Sequence, residues 1–188
     1  MDARVAGLIL AAGRSERYGA IKALSRWDGR SAIECAHAAL AAGGCSPIWS
    51  VLAPPHAEAI VAQLPGGGAI CCPAPTGNML TSLRYGLGTL LATRAEAIVV
   101  SLVDHPAVQA ETVARLIQAW QSERPELVTP RYQGRSGHPY LLARALAERL
   151  LAAPEGATAR DVFRQVARRR YLRVDDAAVL QDIDAPEQ

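Results

Sequence analysis

At 188 residues, the chain can bury one sizeable core and is too short for two ordinary ones. Hydrophobic residues make up 50% and charged residues 20%, which excludes the disordered and fibrous classes. Twenty basic against 18 acidic residues leave a formal charge of +2, which argues against a polycationic nucleic-acid binder.

Along the chain, apolar runs alternate with helix-period segments, and no repeat, low-complexity tract or linker interrupts them. Val5–Ala11 reads as a buried strand closed by a glycine-bearing turn. Ser31–Ala42 reads as a helix with Ser31 as N-cap, Glu34 at the capping-box position and Gly43-Gly44 ending it. A strand is expected at Ile48–Ala53, a helix at His56–Gln63 and a strand at Ala69–Cys72. Asn78 is a candidate N-cap for a helix over Asn78–Ala92. Ala97–Val103 is the most strand-like run and ends on Asp104. A helix at Ala110–Gln121, strands at Leu127–Pro130 and Pro139–Leu142, and helices at Arg144–Ala152 and Ala159–Arg168 follow. Two short strands near Tyr171–Val174 and Val179–Ile183 close the pattern. This order predicts βαβ units around a mainly parallel sheet with helices on both faces, within one domain over 1–188. Ligands of such sheets bind beyond the carboxyl ends of the strands.

Cys35, Cys45, Cys71 and Cys72 form no C-x-x-C pair and no histidine stands at zinc-finger spacing, so a structural zinc site is not expected. Cys71-Cys72 reads as a pair of buried free thiols. The stretch Arg164 to Arg173 reads as a solvated helix face, or as an anion-attracting rim. The opening MDARVAGLILAAG is broken by glycine and charge and reads as neither signal peptide nor membrane span. A reduced, cytoplasmic protein without nucleic-acid or membrane partners is therefore expected.

Four segments carry candidate chemistry. The loop AAGRSERYGAIK after the first strand lets the backbone approach a phosphate chain, and Arg14, Arg17 and Lys22 supply charge around it. It matches neither G-x-x-x-x-G-K-[ST] nor G-x-G-x-x-G; read alone, it is equally a plain β-to-α connection with surface arginines. Lys22 is the single lysine among the 20 basic residues. That suggests a place where a compact ammonium is needed and a planar fork does not fit, with chance as the alternative. Asp104, at the end of an apolar strand and followed by His105-Pro106, is a magnesium-type carboxylate or a helix cap. Asp182 and Asp184 alternate along the expected last strand, so they would share one face, either at the metal or as exposed acids. In GRSGHP (Gly134–Pro139), His138 is a candidate substrate contact or a structural histidine.

Taken together, LILAAGRSERYGAIKAL, GNMLTSLRYGL, SLVDHPAV, GRSGHPYLL and DIDAPE resemble, in order and rough spacing, the segments of the MobA-like nucleotidyltransferases. The usual first motif of that family is L-A-A-G-x-S-x-R-M-G-x-x-K. The closest subgroup looks like the molybdenum cofactor cytidylyltransferases, the A-A-G form favouring cytidine where guanylyl-transferring relatives tend to have A-G-G. The resemblance implies a single three-layer α/β domain with a mixed, mostly parallel sheet of the nucleotide-diphospho-sugar transferase type. It also implies transfer of CMP from CTP to molybdopterin, Mg2+ as cofactor, and a molybdoenzyme or its maturation chaperone as recipient. By the same resemblance, Leu10, Ala11, Ala12 and Gly13 would line base and ribose, Arg14 and Ser15 belong to the same nucleotide loop, and Arg17 and Lys22 would hold the triphosphate. Gly77 and Ser82 would complete the nucleotide pocket, and Asp104, assisted by Asp182 or Asp184, would bind the metal. Arg135, Gly137 and His138 would face the acceptor. The chain departs from the pattern with Tyr18 for Met, Ile21 where Pro is common, His105 where Gln is frequent and Ala185 for Thr, which leaves subgroup and acceptor open.

Overall fold

In the computed structural model, which describes residues 4–13, 21–75 and 78–183, the first apolar run becomes a central strand, β1 (Val5–Leu10), buried at every position. After it come a two-stranded hairpin, β2 (Arg26–Trp27) with β3 (Arg30–Ser31), then α1 (Ala32–Ala42), β4 (Ile48–Leu52), α2 (Ala57–Val61), β5 (Gly68–Cys71) and α3 (Met79–Leu91). The second half runs β6 (Ala97–Leu102), α4 (Ala110–Glu123), β7 (Leu127–Tyr132), β8 (Arg135–Ser136), β9 (Tyr140–Ala143), α5 (Arg144–Leu151), α6 (Ala159–Arg164) and β10 (Arg169–Arg173). The local helix signals work as expected. The Glu34 carboxylate accepts from the Ser31 N–H at 2.7 Å, and Asn78 Oδ1 accepts from the Leu80 N–H at 2.9 Å.

The main sheet has the order β10-β7-β9-β6-β1-β4-β5, with β8 on β7. β5, β4, β1 and β6 are parallel neighbours, a Rossmann-like half in which the chain moves outward from β1 through β4 and β5, then returns to β6 on the other side of β1. β9 runs antiparallel between β6 and β7, and β10 is parallel to β7. The domain is thus α/β with a mixed, mostly parallel sheet.

Side chains alternate between two apolar layers. Ile9, Ile33, Leu40, Leu52, Val99 and Leu116 belong to the one that gathers α1 and α4. Leu8, Leu83, Leu87, Val100, Leu142 and Leu146 belong to the other, with α3 and α5. Gly86 sets how closely α3 lies on the sheet, since a Cβ there would come within 2.5 Å of the Leu8 side chain.

Several expectations are corrected. Val179–Ile183 is not a strand: Ala177–Leu180 is a 3-10 turn, and Asp182 follows it as exposed irregular chain. Asp182 therefore does not sit on a strand, and Asp184 lies outside the described residues. The arginine-rich stretch is not one helix face: α6 ends at Arg164 and Arg169–Arg173 form edge strand β10. Three of its arginines, Arg169, Arg170 and Arg173, are drawn away from helix by sheet pairing with β7, a non-local contact. Cys72 is buried but Cys71 is exposed, because successive residues of an edge strand face opposite sides.

Asp176, unmarked in the sequence, fastens the chain's last described turn to α4. Its buried carboxylate accepts from the Gln109 N–H at 3.0 Å, the Thr112 hydroxyl at 2.7 Å and the Ala178 N–H at 3.1 Å. Asp176→Ala strands these donors and is expected to cost roughly 2–4 kcal/mol. A urea titration checks it: the midpoint should fall at an unchanged slope.

Candidate functional site

The site forms where the chain reverses direction across the sheet. Leu10 of β1 lies beside Leu102 of β6, and the Val103 N–H donates to the Leu10 carbonyl at 3.2 Å. Ala11–Gly13 and Val103-Asp104 consequently leave the sheet side by side, in the crevice where open α/β sheets bind ligands. On the nucleotide side, Leu10 and Ala12 are buried, Ala11 is half-buried and Gly13 is exposed with open space about its Cα. Lys22 opens a 3-10 turn, Lys22–Leu24, whose Ala23 is buried and whose Ile21 and Leu24 pack on the α1 layer. Ser82 is buried on α3. Arg14, Ser15, Arg17 and Gly77 lie outside the described residues.

Asp104 is partly exposed, yet its Oδ1 is buried and has no hydrogen-bond partner among the described residues. A buried, unpartnered carboxylate oxygen is costly unless a cation or proton meets it. The residue is not a helix cap: α4 starts at Ala110 with Gln109 as its N-cap, and the Gln109 N–H donates to Asp176. Asp104 thus fits a divalent ion. The chain's end returns to the same place, because the Ile183 N–H donates to the Asp104 carbonyl at 2.8 Å. Asp182 is adjacent in sequence to that contact but exposed. Among the described residues, no group of three or more His, Cys, Asp or Glu could hold a metal.

His105 sits beside Asp104 and is buried, with its Nδ1 3.2 Å from the Ala178 carbonyl and its Nε2 3.8 Å from Asp104 Oδ1. Sequence reasoning registered it only as a departure from the usual Gln. The contact depends on the Ala177–Leu180 turn, which no local signal announced.

The antiparallel direction of β9 brings its beginning to this edge, and with it His138. The His138 ring lies 5.4 Å from that of His105 and 5.3 Å from that of Tyr140. Arg135, on β8, is exposed. Gly137 has a packing reason: a Cβ there would overlap the Val179 carbonyl oxygen. The next N–H, of His138, donates to that carbonyl at 2.9 Å.

Burial, and secondarily the charge of His105, pushes the His138 imidazole down to about 4. At neutral pH it is an uncharged ring, not a cation for an acceptor phosphate. Its folded value lies below the ordinary 6.5, so the unfolded chain takes up the proton more readily. Stability is therefore full above about pH 6.5 and declines as the pH falls toward 4, by roughly 2–3 kcal/mol from this group. His138→Gln should flatten that decline; an identical pH slope in chemical denaturation would assign it elsewhere.

Fold and crevice together define a nucleotide-diphospho-sugar transferase-like domain. The family model of the MobA-like NTP transferase domain matches residues 7–172, and the chain belongs to that nucleotidyltransferase family. It is 30% identical to the Nicotine blue oxidoreductase of Paenarthrobacter nicotinovorans over 98% of this chain and 94% of that protein. The crystal structure of Rv0371c from Mycobacterium tuberculosis H37Rv is 25% identical, with a TM-score of 0.83 over 97% of this chain and 94% of the other. The structure of Rv0371C in complex with manganese, 23% identical, covers 99% and 92% with a TM-score of 0.76. Among the described residues, no helix is long and apolar enough to cross a membrane.

Proposed function

We propose that residues 1–188 form one nucleotidyltransferase domain that moves CMP from CTP to a phosphate of molybdopterin, releasing pyrophosphate. One observation carries the reading: the small-residue loop after β1 and the unpartnered Asp104 carboxylate leave neighbouring strands at the switch between β1 and β6. The A-A-G form of that loop favours cytidine over guanosine.

In the reaction, an acceptor phosphate oxygen bonds to the α-phosphorus of CTP. The α–β phosphoanhydride bond breaks, and its electron pair leaves with pyrophosphate. The acceptor phosphate is already anionic at neutral pH, so alignment and charge neutralisation suffice, without a strong base. Leu10, Ala11, Ala12 and Gly13 would line the nucleotide, with Arg14, Ser15, Gly77 and Ser82 around it. Lys22 and Arg17 would hold the departing pyrophosphate. Asp104, with Asp182 or Asp184, would hold Mg2+, which supplies positive charge to the phosphates when bound. Arg135, Gly137 and His138 would line the acceptor side, His138 as a neutral ring. The product would pass to a molybdoenzyme or its maturation chaperone in the cytoplasm.

The test is pyrophosphate release with CTP, GTP, ATP and UTP in turn, with and without molybdopterin. CTP together with molybdopterin should exceed every other combination by at least about tenfold, equivalent to 1.4 kcal/mol of barrier. GTP preference would overturn the cytidylyl reading, and equal release with a sugar phosphate would overturn the acceptor.

A second reading rests on the 30% identical relative named an oxidoreductase. Under it, the chain transfers electrons instead of a nucleotidyl group. Substrate-dependent consumption of NADH or NADPH without pyrophosphate release would favour it. The chain has no G-x-G-x-x-G fingerprint for such a cofactor.

A further inference from the structure

Arg131 and Arg173 stand directly opposite each other at the carboxyl ends of β7 and β10. Both are exposed, and side chains of paired residues in neighbouring strands share one face of the sheet. Like charges so placed repel. Among the described residues, no carboxylate comes within ion-pair reach of either. Nearby arginines are treated differently: Arg149 meets Glu126 at 2.7 Å, Arg170 meets Glu123 at 3.4 Å and Arg164 meets Asp161 at 3.7 Å. Arg131 is nevertheless held, with its guanidinium carbon 4.7 Å from the centre of the Tyr171 ring, whose hydroxyl accepts from Arg169 at 2.9 Å. A guanidinium stacked by its flat side keeps its N–H fork for another partner.

This face leads back to the candidate site. Arg169 also donates to the Phe163 carbonyl at 2.8 Å. The Phe163 ring lies 5.3 Å from that of Tyr140, itself 5.3 Å from that of His138. Contacts thus run unbroken from His138, beside His105, to Tyr171 and Arg131. β7 and β10 finish at the same sheet edge as β6, because β9 is antiparallel to both β6 and β7, and β10 is parallel to β7. Only β9 stands between β6 and β7, so Arg131 is displaced from the strand that ends at Asp104 by two strand spacings, about 10 Å. The ring that lies between, His138, is uncharged at neutral pH.

We propose that Arg131 and Arg173 form a subsite for the end of the acceptor remote from its reacting phosphate, and so help to determine which acceptor is taken. The proposal rests on the reading of the crevice as transfer to a phosphorylated acceptor and deepens it. With its phosphate near Asp104, an acceptor extended over His138 brings its far end to Arg131. Two guanidinium forks there recognise hydrogen-bond acceptor atoms or negative charge. The carbonyl and ring nitrogen along one edge of a pterin are such a pair, of the kind that arginine binds in bidentate fashion.

The experiment is steady-state kinetics on the full chain at saturating CTP with molybdopterin varied, beside calorimetric titration of molybdopterin without turnover. Arg131→Gln and Arg173→Gln should each raise KM for molybdopterin by at least about tenfold and leave kcat within about twofold, the pattern of lost binding and intact chemistry. KM for CTP and the melting temperature should not move, which a merely structural role would not allow. Arg131→Lys, which keeps the charge and loses the fork, should fall between Arg131→Gln and the wild type. Arg170→Gln, on the other face of β10, should match the wild type. Should Arg131→Gln melt lower, Arg173→Gln carries the test, since no described ring stacks on it. Turnover with molybdopterin at wild-type KM in both glutamine variants overturns the subsite and leaves the transfer reading standing. Binding that Arg131→Gln weakens, without pyrophosphate release in the wild type, upholds the subsite and overturns the transfer reading. A wild type that neither binds nor turns over molybdopterin overturns both.

Discussion

Asp104→Asn should leave a folded protein whose pyrophosphate release falls by at least about a hundredfold, roughly 2.7 kcal/mol of barrier. The two side chains are nearly isosteric, and Asp104 accepts no described side-chain hydrogen bond at Oδ1 that an amide would forfeit. The melting temperature should therefore hold while turnover collapses. That opposition separates a metal carboxylate from a structural one. A structural carboxylate would lose stability on substitution, as expected for Asp176, and a loss of turnover under about tenfold would remove Asp104 from the mechanism.

Lys22→Arg is the second large effect. As an ordinary surface exchange it would change stability by no more than about 0.5 kcal/mol and leave turnover intact. Lys22 is not placed like a free surface residue. It begins a turn whose next residue, Ala23, is 3% exposed, with Ile21 and Leu24 against the α1 layer. The backbone beneath the side chain is thus held, and a longer, planar guanidinium cannot be accommodated by sliding the turn. An ammonium is a compact donor, whereas a guanidinium has a fixed fork. The arginine variant should fold and still bind CTP, yet turn over at least about tenfold more slowly, because the leaving phosphates lose their alignment. Lys22→Ala should lose binding and turnover together. Steady-state kinetics beside a melting curve reads all three outcomes, and near-normal turnover in Lys22→Arg would make the single lysine an accident of composition.

How much of this was legible from residues alone divides along the range of the forces involved. The Glu34 carboxylate reaches Ser31 three residues back, and Asn78 caps the helix that begins at its neighbour; such signals are complete within one turn and need no partner. β1 and β6 announced themselves by continuous apolar runs, since strands buried on both faces have no polar side to show. The glycine-bearing loop and Asp104 were legible for the same reason: polar residues at the end of an apolar strand stand out.

The tertiary structure alone decided what pairs with what. An expected strand at Val179–Ile183 gave way to a 3-10 turn because Asp176 caps that turn and ties it to α4. The arginines of β10 became strand because an open edge of β7 accepted them. Gly137 is glycine because a carbonyl more than 40 residues away leaves no room for a Cβ. His105 gained its significance from Ala178, 73 positions along the chain. In each case, the residue's local environment is silent and the deciding atom lies far off in sequence. Periodicity and capping determined which segments are helix and strand and which strand ends carry chemistry; long-range hydrogen bonds and steric exclusion determined which of those ends meet, and so placed His105 and the chain's last turn against Asp104.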